Sequence, residues 1–500
     1  MTDTLRIAVV GHTNTGKTSL LRTLTRDPRF GEVADQPGTT RHVEGARLSV
    51  TGGGALEWFD TPGMEDSIAL LEYVEQLAAP APGSTRPTAQ DDGAAHATQD
   101  PSTASEQATR ERLDGPARIR RFLASPEAHR RFEQEARVLA KLLDCDAALY
   151  VIDARDPVLA KHRDELALLA ACGRPLLPVL NFVNAPAHRA QAWRDAMARL
   201  GLHAVLEFDT VAPALDGEQQ LYARLVVLLD RHGPMLQRLA EQLAQGRQAR
   251  RDTAYRLAAE LLVDVAALHL TSANDDATLA ATAAQLRDRV REREQACVTA
   301  LLALYNFRAD DYHADELPLS GERFGLDLFH PQALKSMGVQ VSMGAAAGAM
   351  AGAAVDLLSA GLSLGTGTLI GAAAGGLWQG VERYGRRLAG KVRGYRELSV
   401  DDPVLRLLAL RARQLIAALE RRGHAARAPL QLQAHTAGEA TTTDDDWRRA
   451  PLPAPLKEAR SRPEWSALAQ GHDDDERRKQ CVAALAGLLM QDEARGTSSR

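Results

Sequence analysis

Aromatic residues are scarce in this chain of 500 residues, at 4%. Broad aromatic binding surfaces are therefore not expected, and the abundant alanine, leucine and arginine favour helix over strand. Cysteine is scarcer still: Cys145, Cys172, Cys297 and Cys481 lie far apart and none falls in a C-x-x-C or Cys/His ligand spacing. Neither a disulfide framework nor a zinc site is signalled, and a reducing compartment is favoured. A strong charge of one sign is missing too, since the net charge is -5 with a pI near 6.3. That argues against a protein that coats polyanions, so DNA is not an expected partner and RNA is not favoured. The first residues, Met1 to Arg6, carry no charged head followed by an apolar stretch, so no export signal is read there. What is present, 45% hydrophobic and 25% charged residues, fits a folded chain rather than a disordered one, with two or three domains at roughly 150 residues each.

Apolar runs at Leu5–Val10, Ala46–Val50, Leu56–Phe59, Ala147–Ile152, Leu176–Leu180 and Ala204–Phe208 read as strands, with helical patterns between most of them. Such alternation predicts a mostly parallel sheet covered by helices on both faces. It is interrupted between Ala79 and Gly115 by a stretch rich in Ala, Pro, Thr, Ser, Gln and Asp, expected to be a disordered insertion at 80–115. From about Pro234 the strands are expected to stop, and long helical patterns follow near Leu236–Leu270 and Leu279–Leu304. The expected domains are 1–235, a helical region 236–424, a flexible linker 425–470, and a final helix and tail 471–500 that begins with the amphipathic segment Arg477–Leu489.

Gly11-His12-Thr13-Asn14-Thr15-Gly16-Lys17-Thr18 satisfies G-x-x-x-x-G-K-[ST] between a strand and a helix, as a phosphate-binding loop requires. Backbone N–H groups of such a loop point at a polyphosphate, and glycine lets the main chain approach it. Lys17 is expected at the β- and γ-phosphates and Thr18 on Mg2+; the chain has only seven lysines, so the match carries weight. Asp60-Thr61-Pro62-Gly63 follows the run Leu56–Phe59, where a carboxylate is needed for the Mg2+ shell.

With these motifs the chain resembles the Era/TrmE-type GTPases of the translation-factor-related class, over residues 5 to 231. The resemblance implies an α/β fold, a P-loop NTPase G domain followed by a mainly α-helical C-terminal region. It implies GTP and GDP as ligands, hydrolysis of GTP to GDP and phosphate, and Gly11, Asn14, Thr15, Gly16, Lys17, Thr18, Ser19, Asp60, Gly63, Asn181 and Asn184 around the nucleotide. Pro37-Gly38-Thr39-Thr40-Arg41 looks like the family's first switch; Thr40, or else Thr39, would close over Mg2+ and the γ-phosphate. Asn14 matches the loop asparagine that in some members coordinates K+ in place of an arginine finger. With Lys17 and Thr40, it makes up the expected catalytic set, and Thr18, Thr40 and Asp60 the metal set.

Met64 stands where Ras-like GTPases carry the glutamine that orients water, and a thioether cannot do that. An apolar residue there is usual in the resembled family and implies slow turnover, assisted by a cation, a partner or self-association. The resemblance also makes Met64–Leu77 a mobile second switch, from which the insertion at 80–115 would emerge as a partner-reading element. The base-reading motif, N-K-x-D in the family, is here Asn181-Phe182-Val183-Asn184, and Asp209-Thr210-Val211-Ala212 sits where the last base loop belongs. An asparagine offers one acceptor where aspartate offers two, so guanine discrimination should fall, at about 1–3 kcal/mol per unsatisfied contact.

Between Lys335 and Glu382 the only charge is Asp356, which divides two uncharged stretches, Ser336–Val355 and Leu357–Val381. Each is long enough, at about 30 Å as a helix, to span a bilayer. Gly344, Gly348 and Gly352, and Gly367, Gly371 and Gly375, give small-x-x-x-small faces, and the flanking Lys335 and Arg383–Arg393 place both ends on the cytoplasmic side. The segment 336–381 therefore reads either as a membrane hairpin, which would put the protein at the inner face of the cell membrane, or as a buried hairpin that mediates homo-oligomer contacts. The whole chain resembles bacterial GTPases with a C-terminal helical domain of unknown function. A nucleotide-binding scaffold with little hydrolysis, and a ribosome- or RNA-associated GTPase, remain open beside the hydrolase reading.

Overall fold

The computed structural model describes residues 4–26, 44–78, 114–307, 319–320, 323–324, 327–330, 333, 362–364, 395–421, 447, 451–469 and 471–497. The chain divides into two compact units, Met1–Gln245 with Arg421–Ala426 and Gly246–Glu420 with Arg427–Arg500.

The first unit is built on strands β1 (Thr4–Val10), β2 (Glu44–Ser49), β3 (Ala55–Asp60), β4 (Ala147–Asp153), β5 (Leu176–Asn181) and β6 (Leu206–Glu207), in the order β2-β3-β1-β4-β5-β6. Only β2 runs antiparallel to its neighbour, β3; every other pairing is parallel. The central strands β4 and β5 are buried throughout, as expected for a sheet covered on both faces. One face packs against helix α1 (Lys17–Thr25) and helix α8 (Gly217–Leu228), joining Leu20, Leu21, Leu24, Leu221 and Leu225 to Ile7, Val9 and Leu149. The other face carries α2 (Ser67–Ala78), α3 (Gly115–Leu123), α4 (Glu127–Arg130), α5 (Glu133–Asp144), α6 (Ala160–Ala171) and α7 (Ala190–Arg199). The two catalytic motifs expected from sequence thus leave adjacent parallel strands, with Val9 in register with Asp60.

Of the expected insertion 80–115, only Asp114 and Gly115 are described. They start α3: the Asp114 carboxylate accepts from Ala117 N at 2.8 Å, and Pro116 follows at the first turn.

The division between units falls inside α9 (Gly233–Ala267). The second unit holds the rest of that helix with α10 (Asp276–Leu304), α11 (Asp402–Arg421), α12 (Ala454–Arg460) and α13 (Glu476–Thr497) around one apolar core. Strands do not stop at Pro234, contrary to the sequence expectation. Tyr395–Val400, here β11, pairs antiparallel with both His269–Ala273 (β7) and Leu362–Leu364 (β10), and Leu319–Ser320 (β8) pairs with Arg323–Phe324 (β9). Helix α9 accordingly ends at Ala267 rather than Leu270.

Residues 451–469, expected to be linker, are packed instead. Leu452, just before α12, is buried in the core of this unit together with Leu456 and Ala459 of α12 and Trp465 of the short turn after it. Of the apolar segment 336–381, only Leu362–Leu364 are described, and they form a strand rather than part of a spanning helix. Among the described residues no helix is long and apolar enough to cross a membrane.

Candidate functional site

The loop between β1 and α1 is shaped by its glycines. Gly11 has φ 144°, and a Cβ there would stand 2.4 Å from the Val151 carbonyl oxygen on the neighbouring strand. Gly16 is left-handed at φ 91°, caps α1 without a side-chain bond, and would clash with Asn181 Nδ2 at 2.3 Å if it carried a Cβ. Only glycine meets both demands, and α1 starts at the loop without a side-chain cap. Asn14 is also left-handed, at φ 63°, and is exposed at the loop's rim; asparagine tolerates that conformation better than most residues. Thr15 is buried and its hydroxyl donates to His12 O at 3.1 Å.

Lys17 Nζ donates to the carbonyls of Gly11 at 3.1 Å and His12 at 2.7 Å. Burial strips its ammonium of water and brings its pKa down to about 8, although Asp60, Glu165 and Glu65 pull the other way. Thr18 Oγ1 donates to Asp60 Oδ2 at 2.5 Å, so the two expected metal ligands stand together at the base of the loop. Asp60 is wholly buried and also accepts from Thr61 N at 3.1 Å. A hydroxyl and a buried carboxylate at a phosphate loop are hard oxygen donors of the kind Mg2+ takes alongside phosphate and water. Among the described residues no group of three or more His, Cys, Asp or Glu side chains could hold a metal by itself.

The chain after Asp60 lies directly on the loop. Met64 N donates to Gly11 O at 3.3 Å, and the Met64 side chain is fully buried in the core beneath α2. Gly63 packs against Thr13 so closely that a Cβ would come within 2.6 Å of Thr13 Cα. Thr13 Oγ1 donates to Glu65 Oε1 at 3.0 Å. Ser19 lies in the first turn of α1 and accepts Thr23 Oγ1 on its carbonyl at 3.0 Å. The expected first switch, with Thr39 and Thr40, lies outside the described residues.

At the far end of the loop the Asn181 side chain makes three hydrogen bonds within the protein. Its Nδ2 donates to Thr15 O, and its Oδ1 accepts from Phe182 N and Thr210 N, each at 2.9 Å. Phe182 takes a left-handed conformation, φ 57°. Its ring carries the Arg155 guanidinium 4.0 Å above its centre, and Arg155 is held in turn by both Asp153 carboxylate oxygens. Asn184 Nδ2 donates to Ala212 O at 3.1 Å and its backbone N–H to Asp209 Oδ2 at 3.0 Å. Asp209 also accepts from Val211 N and Ala212 N, which makes it the organiser of the last base loop.

Sequence reading missed a buried polar set beneath the loop. Lys161 Nζ lies 2.8 Å from His12 Nε2, and since an ammonium only donates, His12 Nδ1 carries the proton and donates to Glu165 Oε1, also at 2.8 Å. Glu165 is fully buried and accepts a second bond from Tyr150 OH at 2.7 Å. Burial and that carboxylate hold the Tyr150 phenol well above its ordinary pKa, so it stays a donor. A second buried carboxylate, Glu135, accepts from the backbone N–H groups of Glu65 and Asp66 at 3.0 and 3.1 Å. The available signal was placement: Glu165 shares a helical face with Leu168, Leu169 and Cys172, and Glu135 with Val138, Leu139 and Leu142.

Comparison with known proteins covers both units. Residues 6–182 match the family model described as 50S ribosome-binding GTPase, and residues 194–487 match the one described as Domain of unknown function (DUF3482). Among solved structures, a point variant of Era from Aquifex aeolicus bound to GDP and AlF4- is 14% identical with a TM-score of 0.30, covering 46% of this chain and 57% of that one. Era in complex with MgGDPNP and nucleotides 1506–1542 of 16S ribosomal RNA gives the same identity, 14%, and the same TM-score, 0.30. The G domain of the FeoB iron transporter of T. maritima is 17% identical with a TM-score of 0.23, covering 45% of this chain and 98% of that one. The chain thus spans little more than half the length of the two Era structures, and no curated protein matches it. Since the second family model covers more than half of its residues, the chain belongs to the DUF3482 family, and it carries a P-loop GTPase-type G domain on its amino-terminal side.

Proposed function

We propose that the N-terminal unit binds GTP with Mg2+ and hydrolyses it slowly to GDP and phosphate, and that nucleotide state sets the conformation of the DUF3482 unit. The observation that carries this reading is the loop itself: two glycines that admit no Cβ, a helix start without a side-chain cap, a buried ammonium, and Thr18 of α1 paired with Asp60 at the end of β3. Lys17 would exchange its two loop carbonyls for the β- and γ-phosphates, and the amides of Asn14 to Ser19 would hold the remaining phosphate oxygens. Thr18 and Asp60, joined by Thr40 from the first switch, would hold Mg2+, which when bound neutralises charge on the β- and γ-phosphates. Asn14, exposed at the rim, would hold K+.

Asn181 acts by tying the phosphate loop to the base loop, and the Phe182 ring with its Arg155 offers an apolar edge for a purine. Asn184, with its amide nitrogen turned to Ala212 O, leaves one oxygen for guanine N1–H or N2–H2, so guanine preference is expected to be weaker than an aspartate would give. Titration of the full chain with GTP and with ATP tests this: GTP should bind more tightly, and Lys17→Ala should lose both. Equal or tighter ATP binding overturns the guanine assignment. Phosphate release measured with and without potassium tests turnover, and no release under any condition favours the scaffold reading, which the burial of Met64 supports. Membrane association through 336–381, at the inner face of the cell membrane, is proposed from the length of its two uncharged stretches on either side of Asp356, and flotation of the GTP-loaded chain with lipid vesicles tests it.

A further inference from the structure

Hydrolysis needs a group that orients water and takes its proton, and Met64, buried and apolar, cannot supply one. We propose that Glu65 is that group, the general base of the nucleotide reaction; the inference rests on the hydrolysis reading above. Its carboxylate accepts from Thr13 Oγ1 at 3.0 Å, and Thr13 belongs to the loop whose amides face the phosphates. It is also close enough to Lys17 to be one of three carboxylates that favour the charged ammonium, the group expected at the γ-phosphate. The side chain is exposed, so water reaches it.

Glu65 is held at this point by the surrounding chain. Gly63 has no room to move toward the loop, because a Cβ would already stand 2.8 Å from Thr13 N. Met64 N is bonded to Gly11 O, and the N–H groups of Glu65 and Asp66 converge on one oxygen of buried Glu135. Asp66 faces Arg131 instead, at 3.9 Å, so of the two acidic residues only Glu65 is joined to the loop. Lys17 and the loop amides offset the repulsion between this carboxylate and the polyphosphate.

In the reaction, the water oxygen forms a bond to the γ-phosphorus while its proton passes to the Glu65 carboxylate. The bond from that phosphorus to the β–γ bridging oxygen breaks, and its electron pair leaves on GDP. Glu65 then returns the proton to the released phosphate, which restores the carboxylate. Glu135, through the backbone of Glu65, is a positioning residue.

The test is single-turnover phosphate release by full-length wild type, Glu65→Gln and Glu65→Asp, alongside affinity for a non-hydrolysable GTP analogue. Glutamine keeps an acceptor for Thr13 and nearly the same shape but cannot take a proton. Release should therefore fall about 100-fold or more in Glu65→Gln, within the range for loss of a general base, with affinity changed less than threefold and partial recovery in Glu65→Asp. A wild type that releases phosphate while Glu65→Gln stays within threefold of it overturns this assignment alone. A wild type that binds the analogue but releases no phosphate overturns the hydrolysis reading and this assignment together, and one that binds no nucleotide overturns the nucleotide-binding reading along with both.

Discussion

Lys17 should take up a proton when a triphosphate arrives. Burial holds its pKa at about 8 in the nucleotide-free protein. At that value about one-tenth of the molecules carry a neutral Lys17 at pH 7, about half at pH 8 and about nine-tenths at pH 9. An anionic oxygen at about 4 Å contributes about 4 kcal/mol at an effective dielectric of about 20, equivalent to about three pKa units, so the bound form is fully charged across this range. GTP binding should therefore take up about 0.1 proton at pH 7, about 0.5 at pH 8 and about 0.9 at pH 9.

The same shift acts on folding. Between about pH 8 and 10.5 the unfolded chain holds a proton on Lys17 that the folded chain has lost, so stability rises with pH through that window. Below pH 8 the full penalty remains, of order 3 kcal/mol for a shift of about 2.5 units. Titration calorimetry in buffers of different ionisation heat, at the three pH values, reads the uptake directly. Binding heats at pH 8 and 9 that do not depend on the buffer would refute the reasoning.

Gly63→Ala puts a Cβ between 2.2 and 2.8 Å from three Thr13 atoms, two of them backbone; GTP affinity should fall at least tenfold in direct titration, and wild-type affinity would show that the two segments can part freely. Asn181→Ala removes three hydrogen bonds and leaves the buried Thr210 N–H without its acceptor, which should cost about 1–3 kcal/mol in urea unfolding, with weaker nucleotide binding as the loops separate. In the second unit, Asp264→Ala takes the shared buried carboxylate from Arg293 and Arg478, leaving Arg478 only Asp474 and the Trp465 carbonyl. About 3–5 kcal/mol of stability should be lost in denaturant melts, and a change below about 1 kcal/mol would mean that water replaces the carboxylate there.

The first unit was legible because its signals are local. A strand, a glycine loop and a helix follow one another within Thr4–Thr25, and each strand of the sheet is a short apolar run bounded by polar residues. The small sheet of the second unit was not, because His269–Ala273 finds its partner more than a hundred residues later, at Tyr395–Val400. The segment HLTSA extends a helical pattern in sequence, and only the distant strand decides its conformation. Asn181 was expected at the nucleotide, but that its side chain also ties the phosphate loop to the base loop was not legible, because it needs the positions of Thr15 and Thr210 together. Glu165 and Glu135 were overlooked because an acidic residue is normally assigned to solvent, although both sit on apolar helical faces.

Asp264 has a bearing on biosynthesis. Its side chain receives Arg293, Arg478 and the Ala467 N–H, and its carbonyl receives the Ser466 hydroxyl. During synthesis Arg293 can cover one oxygen of this carboxylate early, but the other emerges some two hundred residues before Ala467 and Arg478 and until then must stay hydrated, which keeps the helix around it from closing into an apolar core. Folding of this unit on the ribosome is thus expected to be held open until its last helix has left the exit tunnel, so nascent chains stalled before that point should bind chaperones and be cut readily by proteases.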